Sequence, residues 1–140
     1  MSLFLIAALA FATPADAATP SIAGTWTEVT PVTCGDGAAV AADPLLELVF
    51  SPDGNFSVTW EPFETYRDYW GTYTYTASGE LNMHVTDGNA LPPAADLAGH
   101  ADLAADGALV LKNVDFGPHS GGISHPAGCE FRFKGLKSNG

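Results

Sequence analysis

The sequence predicts an all-β fold, an antiparallel up-and-down β-barrel of about eight strands, on three observations. Turn residues recur about every ten positions, the segments between them alternate apolar and polar side chains with period two, and no window carries a convincing helical period. Sequential antiparallel strands joined by short turns close most simply into a barrel, which also removes the exposed edges of an open sheet.

Ile22 to Val29 is the first predicted strand. Leu45 to Ser51 and Asn55 to Trp60 follow, joined by Ser51-Pro52-Asp53-Gly54, where glycine supplies the positive φ of a tight hairpin. Phe56, Val58 and Trp60 alternate with Ser57 and Thr59, so this strand has one buried and one wet face. Trp70 to Thr76 sets Gly71, Tyr73 and Tyr75 against Thr72, Thr74 and Thr76. After Ala77-Ser78-Gly79, Glu80 to Thr86 alternates Leu81, Met83 and Val85 with Asn82 and His84. Leu91 to Leu97 contains Pro92 and Pro93 and reads as a loop. Ala98 to Ala104 and Ala108 to Val114 meet at Ala105-Asp106-Gly107, and a Gly-rich run from Gly117 to Gly128 leads to the last strand, Cys129 to Lys134. Leu48, Phe50, Phe56, Trp60 and Met83 are the bulky inward candidates.

The N-terminus has an apolar run from Leu3 to Ala12, then Pro14 and the small-x-small triplet Ala15-Asp16-Ala17. This is the pattern of a secretory signal peptide over residues 1–17, although Met1 and Ser2 bring no Lys or Arg, and the apolar run is too short to span a bilayer. The expected product, residues 18–140, is the size of one domain, secreted or periplasmic, with no membrane span. It keeps fifteen of the sixteen acids against five bases, a balance that argues against a nucleic-acid partner. Cys34 and Cys129 are the two cysteines, and an even pair without CxxC spacing in an exported chain is expected to form a disulfide.

Gly24-Thr25-Trp26 in the first strand resembles the Gly-x-Trp opening of lipocalins and related small barrels. The ordered series FSPDGNFSVTW, a tyrosine-rich connection and YWGTYTYTASGELNMHV looks like the short lipocalin-like domains of many bacterial proteins, over most of Ile22 to Val114. The resemblance implies an eight-stranded calycin-type barrel in which Trp26 packs at the closed end under an Arg from the last strand, here Arg132, with a cation–π contact of about 0.5 to 2 kcal/mol. This chain departs from that pattern in one respect: with Phe131 and Phe133 inward, alternation turns Arg132 outward.

No catalytic constellation is legible. His84, His100, His119 and His125 have neither HxH nor HExxH spacing, so local sequence places no two on a common face and no metal or cofactor is expected. Ser120 and Ser124 lack the GxSxG frame of a nucleophile elbow, and Glu61 and Glu64 fall on an exposed connection. The chain is therefore expected not to be an enzyme.

The stretch from Trp60 to Tyr75, WEPFETYRDYWGTYTY, holds seven aromatic residues and Arg67, the first Lys or Arg of the chain. Trp60, Phe63, Tyr66, Arg67, Tyr69 and Trp70 are the candidate ligand-binding residues, an aromatic rim with Arg67 placed to meet an anion. The expected function is binding of a small apolar or amphipathic molecule, including an anionic one. The alternative is a protein-interaction or enzyme-inhibitor module whose loops contact an exported partner, since barrels related to lipocalins include protease inhibitors and Tyr and Arg are enriched at interface hot spots.

Overall fold

The computed structural model describes residues 21–35, 37, 39–40, 44–117 and 128–136. The expected signal peptide lies outside the described residues, as do His119, Ser120, Ser124 and His125. Every regular element described is a strand, and no helix among the described residues is long and apolar enough to cross a membrane.

Nine strands follow in chain order: β1 (Gly24–Cys34), β2 (Ala39–Val40), β3 (Glu47–Phe50), β4 (Asn55–Thr59), β5 (Tyr69–Tyr75), β6 (Glu80–Gly88), β7 (Asp96–Leu103), β8 (Leu109–Lys112) and β9 (Cys129–Gly135). From β3 to β9 each strand pairs antiparallel with the next, β1 pairs with β3 on one side and β9 on the other, and the sheet closes. The result is a closed eight-stranded antiparallel barrel of up-and-down connectivity, consistent with a calycin-like fold. The two-residue β2 adds beside Val32 and Thr33, beyond the part of β1 that β3 covers.

All eight expected strands are present, with β2 added; β6 runs on to Gly88, and β7 begins at Asp96, so the end of the expected Leu91 to Leu97 loop is strand, drawn in by pairing of Asp96 and Leu97 with His84 and Met83. β1 continues through Pro31 to Cys34, because a break in register between Val29 and Thr33 accommodates a residue without an N–H. β2 is too short for any alternation to announce it.

The pairing sorts the connections by end. Ser51 to Gly54, Thr76 to Gly79 and Ala104 to Gly107 are tight turns at one end, each closed by a backbone hydrogen bond of 2.9 to 3.1 Å to a glycine in the left-handed region. The longer connections β4–β5, β6–β7 and β8–β9 gather at the other, which is the mouth.

Between the ends the barrel is filled. Leu48, Phe50, Phe56, Leu81, Met83, Leu109, Leu111, Phe131 and Phe133 point inward and are fully or almost fully buried in one continuous core. The hairpin end is plugged by aromatic residues: the Tyr73 hydroxyl donates to the Ser51 carbonyl at 2.7 Å, the Tyr75 hydroxyl donates to the Ala101 carbonyl at 3.3 Å, and the Phe50 and Tyr73 rings meet edge to face at 4.8 Å.

Trp26 and Arg132 do not form the expected lid. The Trp26 indole is buried, donates its N–H to the Ile22 carbonyl at 2.9 Å and lies beside Gly135. Arg132 is on the outer surface and pairs with Asp106 at 3.7 Å. The cause is strand alternation, since Phe131 and Phe133 claim the inward positions on either side. Gly24 opens β1 with φ 148°, and an added Cβ there would touch the Trp26 indole.

At the mouth, Cys34 and Cys129 face each other directly across β1 and β9, with Cα atoms 3.9 Å apart, and form the expected disulfide. It fastens the end of β1 to the start of β9 beside the longest connection.

Candidate functional site

A cleft of about 630 Å³ opens at the mouth. Its walls come from three connections and the start of β5: Trp60, Glu61, Pro62, Phe63, Tyr66 and Asp68 from β4–β5, Tyr69 from β5, Ala90, Leu91 and Pro92 from β6–β7, and Phe116 from β8–β9.

Asp68 holds this arrangement together. Its backbone N–H donates to the Val58 carbonyl at 2.9 Å, and one carboxylate oxygen accepts the Trp60 N–H at 2.8 Å, so the β4–β5 connection returns onto the end of β4. Its carbonyl accepts the N–H groups of Asn89 and Ala90 at 2.8 and 2.9 Å, which docks the β6–β7 connection alongside. The second carboxylate oxygen accepts the Tyr66 hydroxyl at 3.4 Å. The Asn89 side-chain amide donates to the Arg67 carbonyl at 2.7 Å and completes the tie. At the tip, the Tyr66 N–H donates to the Phe63 carbonyl at 2.9 Å and Glu64 has φ 54°, so this turn is tight and adopts the left-handed region at a non-glycine residue.

The floor is aromatic. Tyr69 is buried, donates its hydroxyl to the Phe116 carbonyl at 2.8 Å and packs its ring against Trp60 and Phe56 at centroid distances of 6.2 and 6.3 Å. Phe116 in turn meets Phe133 edge to face at 6.4 Å, which joins the floor to the barrel core. Burial, together with the nearby Asp115 and Asp68 carboxylates, raises the Tyr69 phenol far above its ordinary value. The Tyr66 phenol is also raised, by desolvation and then by Asp68. Both rings therefore stay neutral hydrogen-bond donors. The outer lining is the opposite of the floor: Phe63 from the β4–β5 connection and Leu91 from the β6–β7 connection are 69% and 63% exposed.

Of the six expected binding residues, Trp60, Phe63, Tyr66 and Tyr69 line the cleft, and Arg67 and Trp70 do not. Trp70 stands opposite Ser57 on the outer face, because period-two alternation that turns Tyr69 inward turns its neighbour outward. Arg67 is exposed outside the cleft, so the cation expected at the rim is not in its wall. Asp68, Leu91, Pro92 and Phe116 were not expected there. Phe116 and Leu91 reach the cleft only through long-range pairing, and the sole local signal for Asp68 is an acid set between Tyr66 and Tyr69.

The two described histidines lie elsewhere. On the outer sheet, exposed His84 has its Nδ1 2.7 Å from Asp96 and half-buried His100 has its Nε2 3.1 Å from Asp102. Among the described residues no group of three or more His, Cys, Asp or Glu side chains is placed to hold a metal ion. Glu61 and Glu64 are both exposed, on the wall of the cleft and at its tip.

Comparison with protein-family models and with curated proteins finds no match to this chain.

Proposed function

We propose that this protein is an exported lipocalin-like barrel that holds a small apolar or amphipathic molecule in the cleft at its mouth. The observation that carries the reading is the cleft itself: about 630 Å³, floored by Tyr69 and Phe116 and walled by Trp60, Phe63 and Tyr66. Ligand sites are concave, mostly apolar and supplied with few polar groups, and typically enclose about 300 to 1,000 Å³. Because the interior below is packed with side chains, the ligand sits between the connections rather than deep in the barrel.

The lipocalin-like assignment is supported by the closed up-and-down barrel and by Gly24 and Trp26 at the start of β1. Export is supported by the expected signal peptide and by the Cys34–Cys129 disulfide, a bond that persists in oxidising compartments. Binding is favoured over catalysis because the described cleft walls combine aromatic rings with carboxylates and include no Ser, Thr, Cys, Lys or His.

A second reading, a loop surface that docks an exported protein, is favoured by the exposure of the large apolar side chains Phe63 and Leu91 on two adjoining connections. Native mass spectrometry of protein purified from its own host separates the two. A co-purified mass of a few hundred daltons, lost on replacing Tyr69 by Ala, supports the small-molecule reading. A stoichiometric protein partner lost on replacing Phe63 and Leu91 by Ser supports the second.

A further inference from the structure

We infer that the outer face of β9, β1 and β3 is a self-association surface, on which two copies of this chain pair about a twofold axis running along β1. The inference is independent of the mouth cleft, which such a dimer leaves open at its end.

The register sets three rows across this face. Leu136, Thr25 and Val49 form the first: the Leu136 N–H donates to the Thr25 carbonyl at 2.8 Å, and Thr25 stands opposite Val49. In the second, Lys134 stands opposite Thr27, and one further step of the β1–β3 register puts Glu47 on the other side of Thr27. Arg132 opposite Val29 forms the third. Strand alternation turns all of these outward, since Trp26, Leu48, Phe50 and Phe133 between them are buried. Leu136 and Val29 are large apolar side chains left 46% and 42% exposed.

A twofold axis along β1 exchanges the positions of β9 and β3. It therefore sets Lys134 of each copy against Glu47 of the other, Leu136 against Val49, and Thr25, Thr27 and Val29 against their own counterparts. One patch supplies both halves of every contact, as an isologous interface requires. Side-chain size follows the curvature of the barrel. Two convex sheets touch along one strand and diverge over its neighbours, about 4.8 Å to either side. The threonines of β1 permit close approach at the line of contact, and the long Lys134 and Glu47 side chains bridge the widening gap.

Charge points to the same face. The chain has a formal net charge of −11, so two copies repel wherever acids predominate. Lys112, Arg132 and Lys134, three of the four described Lys and Arg residues, lie on β8 and β9. Arg132 is engaged by Asp106 at 3.7 Å, whereas Lys134 and Glu47 form no ion pair among the described residues. Across the axis each meets an opposite charge. A contact three strands wide is small for a specific interface, about 1,200 Å² or less, so the dimer is a reversible one.

Sedimentation equilibrium of the parent over a range of concentrations, at physiological ionic strength, provides the test. The mass should rise from monomer towards dimer and no further. Glu47→Lys and Lys134→Glu should each weaken dimerisation about tenfold or more, by setting like charges together. Diffuse repulsion predicts otherwise for Glu47→Lys, which lowers the net negative charge. The two single variants, mixed, should associate with each other, and the double variant should recover the parent's behaviour. Glu80→Lys, the same charge change on β6 across the barrel, should not weaken the dimer. Near-ultraviolet circular dichroism checks that each variant is folded. A parent that stays monomeric up to about 1 mM overturns the inference. So does a dimer that survives both single reversals, or a double variant no better paired than the singles.

Discussion

The Trp60 N–H donates to the Asp68 carboxylate at 2.8 Å, and that bond folds the β4–β5 connection back onto the strand it leaves. Removing the carboxylate takes that acceptor from a backbone donor at the end of β4. Asp68→Ala should therefore destabilise the protein by about 1 to 3 kcal/mol, with Asp68→Asn costing less because its amide oxygen still accepts. Urea unfolding monitored by tryptophan fluorescence measures both.

Tyr69 joins β5 to the β8–β9 connection through its hydroxyl, 2.8 Å from the Phe116 carbonyl. Tyr69→Phe removes this donor and its buried hydrogen bond, at a cost of about 1 to 2 kcal/mol. The pH dependence carries a sign. The folded state holds the phenolic proton more tightly than the unfolded chain, whose value is 10.0, so the contribution is present in full below that pH. It is lost as pH rises from there towards the folded value, because only the unfolded chain then gains by ionising. Urea midpoints between neutral and strongly alkaline pH should fall less steeply in Tyr69→Phe than in the parent.

The Cys34–Cys129 bond closes a loop with a sequence separation of 95 residues. On the chain-entropy model, replacing both cysteines by serine removes about 4 to 5 kcal/mol. Thermal unfolding with and without reductant should show a large drop for the parent and none for the double variant.

Arg132 is on the outer surface with Asp106 at 3.7 Å, whereas Trp26 is buried near the hairpin end. Arg132→Ala should shift stability by less than about 1 kcal/mol, as is usual for an exposed pair. Trp26→Ala should cost about 3 to 5 kcal/mol. Equal large losses for the two, read by urea unfolding, would restore a Trp26–Arg132 lid.

The barrel was legible because its signals are local. Alternation in Phe56 to Trp60 and Leu81 to Val85, with glycine at each tight turn, specifies strands and hairpins without knowledge of their partners. The passage of β1 through Pro31 was not legible, since only pairing with β9 reveals the register break that admits a proline. The cleft was legible in part for the same reason. Trp60, Phe63, Tyr66 and Tyr69 share one stretch of chain, but Leu91 and Phe116 join them across the sheet. Trp70 was grouped with the site by its aromatic character, yet its position next to inward Tyr69 fixes it on the outer face. Arg67 drew attention as an isolated charge, although the residue that organises the mouth is its neighbour Asp68.

The central claim, that the mouth cleft binds a small molecule, is tested most directly by backbone amide chemical shifts recorded during titration with octyltrimethylammonium and octanol. The cleft reading predicts saturable shifts centred on Trp60, Tyr66, Tyr69, Ala90 and Phe116, with the hairpin turns at Gly54, Gly79 and Gly107 unmoved. Shifts spread evenly over the outer sheet, or centred on the hairpin end, would contradict it.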